Sequence, residues 1–186
     1  MSGGHAHIEG SNKRIALLVA VLAALLALSE MGGKSSQTNA LSSHIDASNL
    51  WSFFQAKTIR QTTLRVAAEQ TDATFKDGGQ AMPAALKTQS EQWRRTAQRY
   101  DSEPETGEGR KELMARAKTK EAERDKSLAA YHMFEYASAA FQLAIVLSGA
   151  AALTGVMWLT FIAVGLGALG IGFTSLAFLA PTLVHL

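Results

Sequence analysis

The chain has 186 residues, of which 47% are hydrophobic and 18% charged, and its charges are concentrated in one stretch. Between Lys34 and Lys126 lie 16 of the 18 Lys and Arg residues and 13 of the 16 Asp and Glu residues. Because acids and bases are interleaved there, no unbalanced basic face is available for a nucleic acid. The absence of Cys excludes disulfides, thiol catalysis and cysteine-ligated metal centres.

The first hydrophobic segment, Ile15 to Leu28, follows a basic pair, Lys13 and Arg14. A cleaved signal peptide and a membrane anchor both fit this arrangement. We favour the anchor because the helical pattern continues beyond the apolar run. The apolar run itself extends only about 21 Å, which is shorter than a bilayer core of about 30 Å. The helix must therefore extend through Gly32 or thin the bilayer. We predict a disordered polar tail over residues 1–12 and transmembrane helix 1 over residues 13–32.

The polar middle begins with a stretch, residues 35–76, that contains neither Pro nor Gly and is predicted to be one long helix. Its apolar residues recur with a 3-4 spacing, which indicates an imperfect coiled-coil seam. The seam is formed by Leu50, Phe54, Leu64, Ala68 and Phe75, with Lys57, Gln61 and Thr71 at the remaining positions. We expect the aromatic residues from Trp51 to Phe54 to pack against other helices and not to form an interfacial belt.

A second helix is predicted after Gly78-Gly79, with Pro83 in its first turn. Its seam is more regular and comprises Leu86, Ser90, Trp93, Ala97 and Tyr100. A turn over residues 101–109 follows, in which Ser102 and Glu105 have the spacing of a capping box. A third helix should then run without a break into the membrane. Residues 33–132 are thus predicted to form a helical, coiled-coil-like stalk or hairpin outside the membrane.

The last fifty residues, 137–186, contain no Lys, Arg, Asp or Glu. They are long enough for two spans that meet at Thr154-Gly155, and we predict transmembrane helix 2 over 133–156, transmembrane helix 3 over 157–180 and a tail over 181–186. Three spans place the termini on opposite sides of the bilayer. Lys13 and Arg14 favour a cytoplasmic amino terminus and an extracytoplasmic stalk, because charges in loops longer than about 60 residues contribute little to orientation.

Small residues recur in the third predicted span, and such surfaces let membrane helices approach closely. We expect part of this surface to join subunits. Together with the stalk seams, the predicted helix-packing or oligomer interface comprises Leu50, Phe54, Leu86, Trp93, Tyr100, Ala163, Gly165, Gly167, Ala168 and Gly172.

No catalytic, cofactor or metal site is predicted. Gly33-Lys34-Ser35 resembles the end of a phosphate-binding loop, but that motif requires Gly where Leu28 stands and a strand before it. No pair of His residues has helical spacing with a carboxylate partner. The predicted spans contain almost no ionisable group, which argues against an ion-coupled transporter and leaves a passive pore possible.

Four segments of the chain, residues 33–35, 47–60, 99–112 and 135–147, resemble a bacterial membrane-protein family catalogued as a domain of unknown function (family 4337). Examples are Ala47-Ser-Asn-Leu-Trp-Ser-Phe-Phe54 and Arg99-Tyr-Asp-Ser-Glu-Pro104. The resemblance covers the chain from about residue 12 onward. It implies a bacterial inner-membrane protein, and it brings no activity, cofactor or catalytic residue.

These observations predict an all-α membrane protein with three transmembrane helices and a long helical hairpin between spans one and two. We expect a non-catalytic structural or accessory subunit, or an oligomeric scaffold, of a bacterial inner-membrane assembly. Its expected partners are membrane lipid, copies of itself and another membrane protein complex, and not nucleic acid. The alternative is a homo-oligomeric pore lined by residues 165–172 with Thr160 and Thr174.

Overall fold

A computed structural model describes residues 4–79 and 81–183, and the side chains of residues 13–76, 78–79 and 81–183. Within these residues all of the regular secondary structure is helical and there is no strand, as predicted. The four helices are α1 (Gly4–Asp77), α2 (Ala84–Asp101), α3 (Arg110–Thr154) and α4 (Trp158–Leu179). Three of them, α1, α3 and α4, are long and apolar enough to cross a membrane.

α1 is a single helix of 74 residues that joins the first apolar run to the polar middle. It begins at Gly4, so residues 4–12 are helical where a disordered tail was expected, and residues 1–3 lie outside the described part. The physical reason is cooperativity: once a helix has nucleated, each added residue forms one more hydrogen bond, and no Pro interrupts this segment. Of the predicted tail at the other end, residues 184–186 also lie outside the described part.

Glycine and proline mark the breaks between helices. Gly79 has a φ of 64° after α1, and Gly155 has a φ of 74° after α3, in a region that L side chains rarely adopt. Pro83 stands immediately before α2, one position earlier than predicted, and its carbonyl accepts a hydrogen bond from the Lys87 N–H at 3.1 Å. α3 is unbroken from Arg110 to Thr154, and Pro181 follows α4, both as predicted.

The turn between α2 and α3 corrects the predicted capping box. α3 begins at Arg110, eight residues after Ser102, because the intervening residues form their own turn, with Gly107 at a φ of 67°. The partner of Ser102 is Glu112 in the first turn of α3. Glu112 accepts a 2.6 Å hydrogen bond from the Ser102 hydroxyl through Oε1 and a 3.1 Å hydrogen bond from the Glu103 N–H through Oε2.

The helices form two compact units. The terminal unit comprises residues 1–41 and 124–186, and the central unit comprises residues 42–123. Each of these boundaries lies eight or nine residues from the predicted stalk limits of 33 and 132. The sequence position at which apolar residues give way to charged ones therefore differs from the position at which one packing unit ends and the other begins. Neither position interrupts α1 or α3, which are unbroken helices.

Candidate functional site

The core of the terminal unit is formed where α1, α3 and α4 pack together. Its buried residues are Leu22, Ala137, Phe141, Ala144 and Ala163. Two glycines of α4 allow the close approach. A Cβ added at Gly167 would lie 2.9 Å from Leu22 Cδ2, and one added at Gly170 would lie 2.6 Å from Phe141 Cε1. The predicted interface residues Ala163 and Gly167 thus pack within the chain itself.

The other small residues predicted on α4 lie on its opposite face. Gly165, Ala168 and Gly172 are exposed, and a Cβ added at either glycine would meet nothing within 4 Å. Large apolar side chains surround them, including Phe161 and Leu169 at 75% and 58% exposure. The structure therefore divides the predicted glycine-rich surface into an inner face, which packs in the core, and an outer face, which is open.

Aromatic pairs mark one end of this bundle. The rings of Phe134 and Phe178 meet edge to face at 5.1 Å, and those of Tyr136 and Phe173 lie 5.7 Å apart. Phe134 and Tyr136 stand where the charged part of α3 gives way to its uncharged part, and Phe178 is next to the end of α4. Phe134 is only 3% exposed, so these rings pack in the core of the bundle at the level where the charges of α3 stop.

At this end a cleft of about 480 Å³, lined by both polar and apolar groups, opens between α1 and α3, and we call it the α1–α3 cleft. Its lining lies just beyond the apolar run of α1 and around the start of the uncharged part of α3. The lining side chains with hydrogen-bonding or charged groups include Glu30, Lys34, Gln37, Tyr131, Glu135 and Gln142.

Close contact between the two helices forms the floor of the cleft. A Cβ added at Gly32 would lie 2.6 Å from Phe134 Cζ, and one added at Gly33 would lie 3.3 Å from Phe134 Cβ. The buried Ser29 hydroxyl donates a 3.2 Å hydrogen bond to the Phe134 carbonyl. The Gly-Lys-Ser sequence rejected as a phosphate loop thus contains a packing glycine, Gly33, and Lys34, which lines the cleft.

Glu135 is the most constrained charged group of the cleft. Its Oε1 accepts a 2.7 Å hydrogen bond from the Tyr131 hydroxyl, and its Oε2 lies 3.2 Å from Nδ1 of His132. The hydrogen bond to the carboxylate raises the pKa of the Tyr131 hydroxyl, since the phenol is stabilised as a donor. Glu135 thus presents a carboxylate that its neighbours on α3 hold in place.

In the central unit, most of the predicted seam residues face inward. Leu50, Phe54, Trp93 and Tyr100 are half-buried, whereas Leu86 is exposed at 37%. The predicted packing role of the aromatic segment fits Trp51, whose indole Nε1 donates to Glu121 Oε1 at 2.9 Å and whose ring meets Phe54 edge to face. Phe53, by contrast, is 63% exposed.

Sequence reasoning missed Arg110, which connects the three helices of the central unit. Its Nε donates to Thr58 Oγ1 at 2.9 Å, its Nη1 donates to Gln61 Oε1 at 2.5 Å, and its guanidinium lies over the Phe54 ring. Gln61, which is 6% exposed, donates in turn to a backbone carbonyl of α2, that of Ala97, at 3.1 Å. A polar residue at a seam position was the available hint, because a buried amide requires partners.

The described side chains of the two units contain no cluster with the composition of a metal centre. Among the described side chains, no group of three or more His, Asp or Glu residues could hold a metal ion. His5, His7 and His185 lie outside the described side chains. Thr160 and Thr174, proposed from sequence as pore-lining, are half-buried, and the Thr174 hydroxyl donates to the Gly170 carbonyl of its own helix at 2.9 Å.

Comparison with known proteins agrees with the resemblance found in the sequence. A family model described as a domain of unknown function (DUF4337) matches residues 11–180. No curated protein and no solved structure matches the chain. The matched range includes all of α2, α3 and α4 and almost all of α1. The chain therefore belongs to the family of the domain of unknown function DUF4337.

Proposed function

We propose that the protein is a three-span integral membrane protein that acts, without catalysis, as a scaffold or accessory subunit of a bacterial inner-membrane assembly. In this proposal residues 13–32, 133–156 and 157–180 cross the bilayer, and residues 33–132 are a helical hairpin outside it, on the extracytoplasmic side. The observation that carries the proposal is the outward apolar surface of the terminal unit.

That surface is too apolar for water. On α4, Phe178 and Leu179 are 70% and 84% exposed, and on α1, Leu17 and Leu28 are 67% and 57% exposed. Residues 15–29 and 136–183 contain no Lys, Arg, Asp or Glu. Soluble monomers rarely expose contiguous apolar patches of this kind, whereas a bilayer requires them.

Helix lengths fit a bilayer with one adjustment. The 22 residues of α4 extend about 33 Å, enough for a hydrocarbon core of about 30 Å. The 14 apolar residues of α1 extend only about 21 Å, so the span must continue through Gly32 or the bilayer must thin.

The central unit has the composition of a water-exposed hairpin. Its charges form pairs of mixed sign across the helices and the turn, such as Lys111 with Asp101 at 2.9 Å and Lys120 with Asp46 at 3.8 Å. The Arg110 contacts hold its three helices together. A charged helical hairpin outside the bilayer is suited to bind another protein.

Self-association is proposed through the outer face of α4, where Gly165, Ala168 and Gly172 leave the backbone accessible. Inside lipid, helices associate through close van der Waals contact, which small residues allow. The test is the mass of the complex extracted from native membranes in a mild detergent, with identification of co-purifying proteins. Ala168→Leu should reduce the oligomer, whereas Ala152→Leu, the same enlargement at an exposed position of α3, should not. A second protein in constant ratio would support the accessory role, and a monomer without partners would refute both.

A homo-oligomeric pore is the second candidate, and the bare backbone at Gly165 and Gly172 favours it. Gly167→Leu is unsuitable as a pore variant, because its side chain would collide with Leu22 in the core. Gly172→Leu, on the open face, is suitable. Ion flux through purified protein in liposomes that is lost in Gly172→Leu, with the oligomer intact, would establish the pore, whereas no flux in the wild type would exclude it.

A further inference from the structure

We propose that the α1–α3 cleft binds the head group of an aminophospholipid, with the lipid ammonium at Glu30 and Glu135 and the lipid phosphate at Lys34. This inference rests on the proposed insertion of the terminal unit in a bilayer. It adds a specific ligand class to a surface that the scaffold function does not require.

The depth of the cleft matches that of lipid head groups. On α1 the lining begins at Ser29, directly after the apolar run that ends at Leu28. On α3 it extends from Tyr131 to Gln142, across the point where charged residues stop. Because charged residues lie on one side of this level and uncharged apolar residues on the other in both helices, the cleft opens at the polar–apolar boundary and not in the hydrocarbon core.

The charge of the cleft selects among lipids. Two carboxylates, Glu30 and Glu135, and one ammonium, Lys34, line it. Sites for anionic lipids are basic, so an anionic head group without a cation would face two carboxylates here. A zwitterionic head group that carries a primary ammonium and a phosphate complements both signs.

Hydrogen bonding separates an ethanolamine from a choline head group. A primary ammonium has three N–H donors, whereas a quaternary ammonium has none. Each carboxylate offers about four lone-pair sites, so Glu135, with one oxygen bonded to Tyr131 and the other close to His132, retains free acceptors. Charge-assisted N–H to carboxylate bonds are about twice as strong as neutral ones, which favours the primary amine.

The size and surroundings of the cleft also fit a lipid. It is an open groove of about 480 Å³, which suits a head group whose acyl chains remain in the bilayer. Below it on the same face of α3 lie Leu143 and Val146, which are 56% and 66% exposed. The acyl chains would extend along these side chains while the head group occupies the polar part.

The experiment measures lipid binding to the full-length protein, purified in detergent, by native mass spectrometry. The probes are phosphatidylethanolamine, phosphatidylcholine and phosphatidylglycerol with identical acyl chains. We expect phosphatidylethanolamine to bind about tenfold more tightly than the other two, on the scale of one hydrogen bond to a charged group. Glu135→Gln and Glu30→Gln should abolish this preference, and Lys34→Gln should weaken binding. Glu105→Gln and Lys118→Gln, which remove like charges from exposed positions elsewhere, should change neither.

Two results would overturn the inference, and a third separates it from the proposed function. Equal binding of the three lipids to the wild type would refute the assignment, as would a preference that survives both Glu variants. Glu30 and Glu135 are both exposed, so each variant remains informative if the other fails to fold. Carbonate extraction of native membranes gives the separate answer: release of the protein would refute membrane insertion itself, whereas retention with equal lipid binding would refute only the lipid site.

Discussion

Gly170 provides the sharpest test of the packing in the terminal unit. A Cβ at this position would lie 2.6 Å from Cε1 and 2.8 Å from Cδ1 and Cζ of Phe141, whereas carbon atoms in good contact are about 3.5–4.0 Å apart. Either α4 or the ring must therefore move by about 1 Å. Phe141 is 1% exposed and has core residues around it, so little free space is available.

The expected magnitude follows from two opposing effects. Overpacking a core costs about 1–3 kcal/mol, whereas replacing Gly by Ala in a helix gains about 1 kcal/mol. Gly172→Ala brings the same gain in helix propensity on the same helix, but its Cβ has no neighbour within 4 Å. The gain therefore cancels when the two variants are compared. Gly170→Ala should therefore be about 1–3 kcal/mol less stable than Gly172→Ala.

The assay is reversible unfolding of the purified protein in mixed micelles, followed by circular dichroism for both variants and the wild type. The double variant Gly170→Ala with Phe141→Leu should show favourable coupling, because the ring that collides has been removed. Equal stability of the two Ala variants, or no coupling in the cycle, would show that α4 does not pack on Phe141 as described.

Three further predictions concern other parts of the chain. Arg110→Met leaves the buried Gln61 carbonyl oxygen without its donor and should lower the free energy of unfolding by about 1–3 kcal/mol, whereas Arg95→Met at an exposed position should have little effect in the same denaturant titration. The hydrogen bond from Ser102 is the main reason that the pKa of Glu112 is below its ordinary value. The stabilisation by the ionised Glu112 carboxylate is therefore complete above the unfolded-state pKa of about 4.3 and is lost as the pH falls through the lower folded-state pKa. The amide protection factor at Glu103 should then be constant above about pH 5 and decrease in stronger acid. A constant protection factor down to about pH 3, or the same acid dependence in Glu112→Gln, would contradict this prediction. Gly155→Ala places a side chain on a residue with a positive φ and should lower the unfolding midpoint relative to Gly149→Ala, where the backbone has no such strain. Equal midpoints would contradict the positive φ of Gly155 in the α3–α4 turn.

Local chemistry explains why the helices were predictable. Charges stop and start sharply along the chain, and Pro and Gly stand at each break, so the number of long apolar helices and the turn at Gly155 follow from neighbouring residues alone. The inward positions of Phe54, Ser90 and Ala97 also follow from periodicity, since a helix repeats its faces every three or four residues. The late start of α3 does not follow from periodicity. Glu112 accepts hydrogen bonds from Ser102 and Glu103, which lie in a loop, whereas the capping-box pattern places the start of the helix at these residues.

Periodicity by itself determined which residues share a helix face, and the uncharged segments by themselves determined which helices can cross a membrane. Only the tertiary structure decided which face of α4 is packed. Gly165, Gly167, Gly170 and Gly172 are chemically identical, and it is the position of Leu22 and Phe141 on other helices that places two of them inside. The α1–α3 cleft was likewise beyond the sequence, because Glu30 and Glu135 are more than a hundred residues apart and come to line one cleft only through the packing of Phe134 on Gly32.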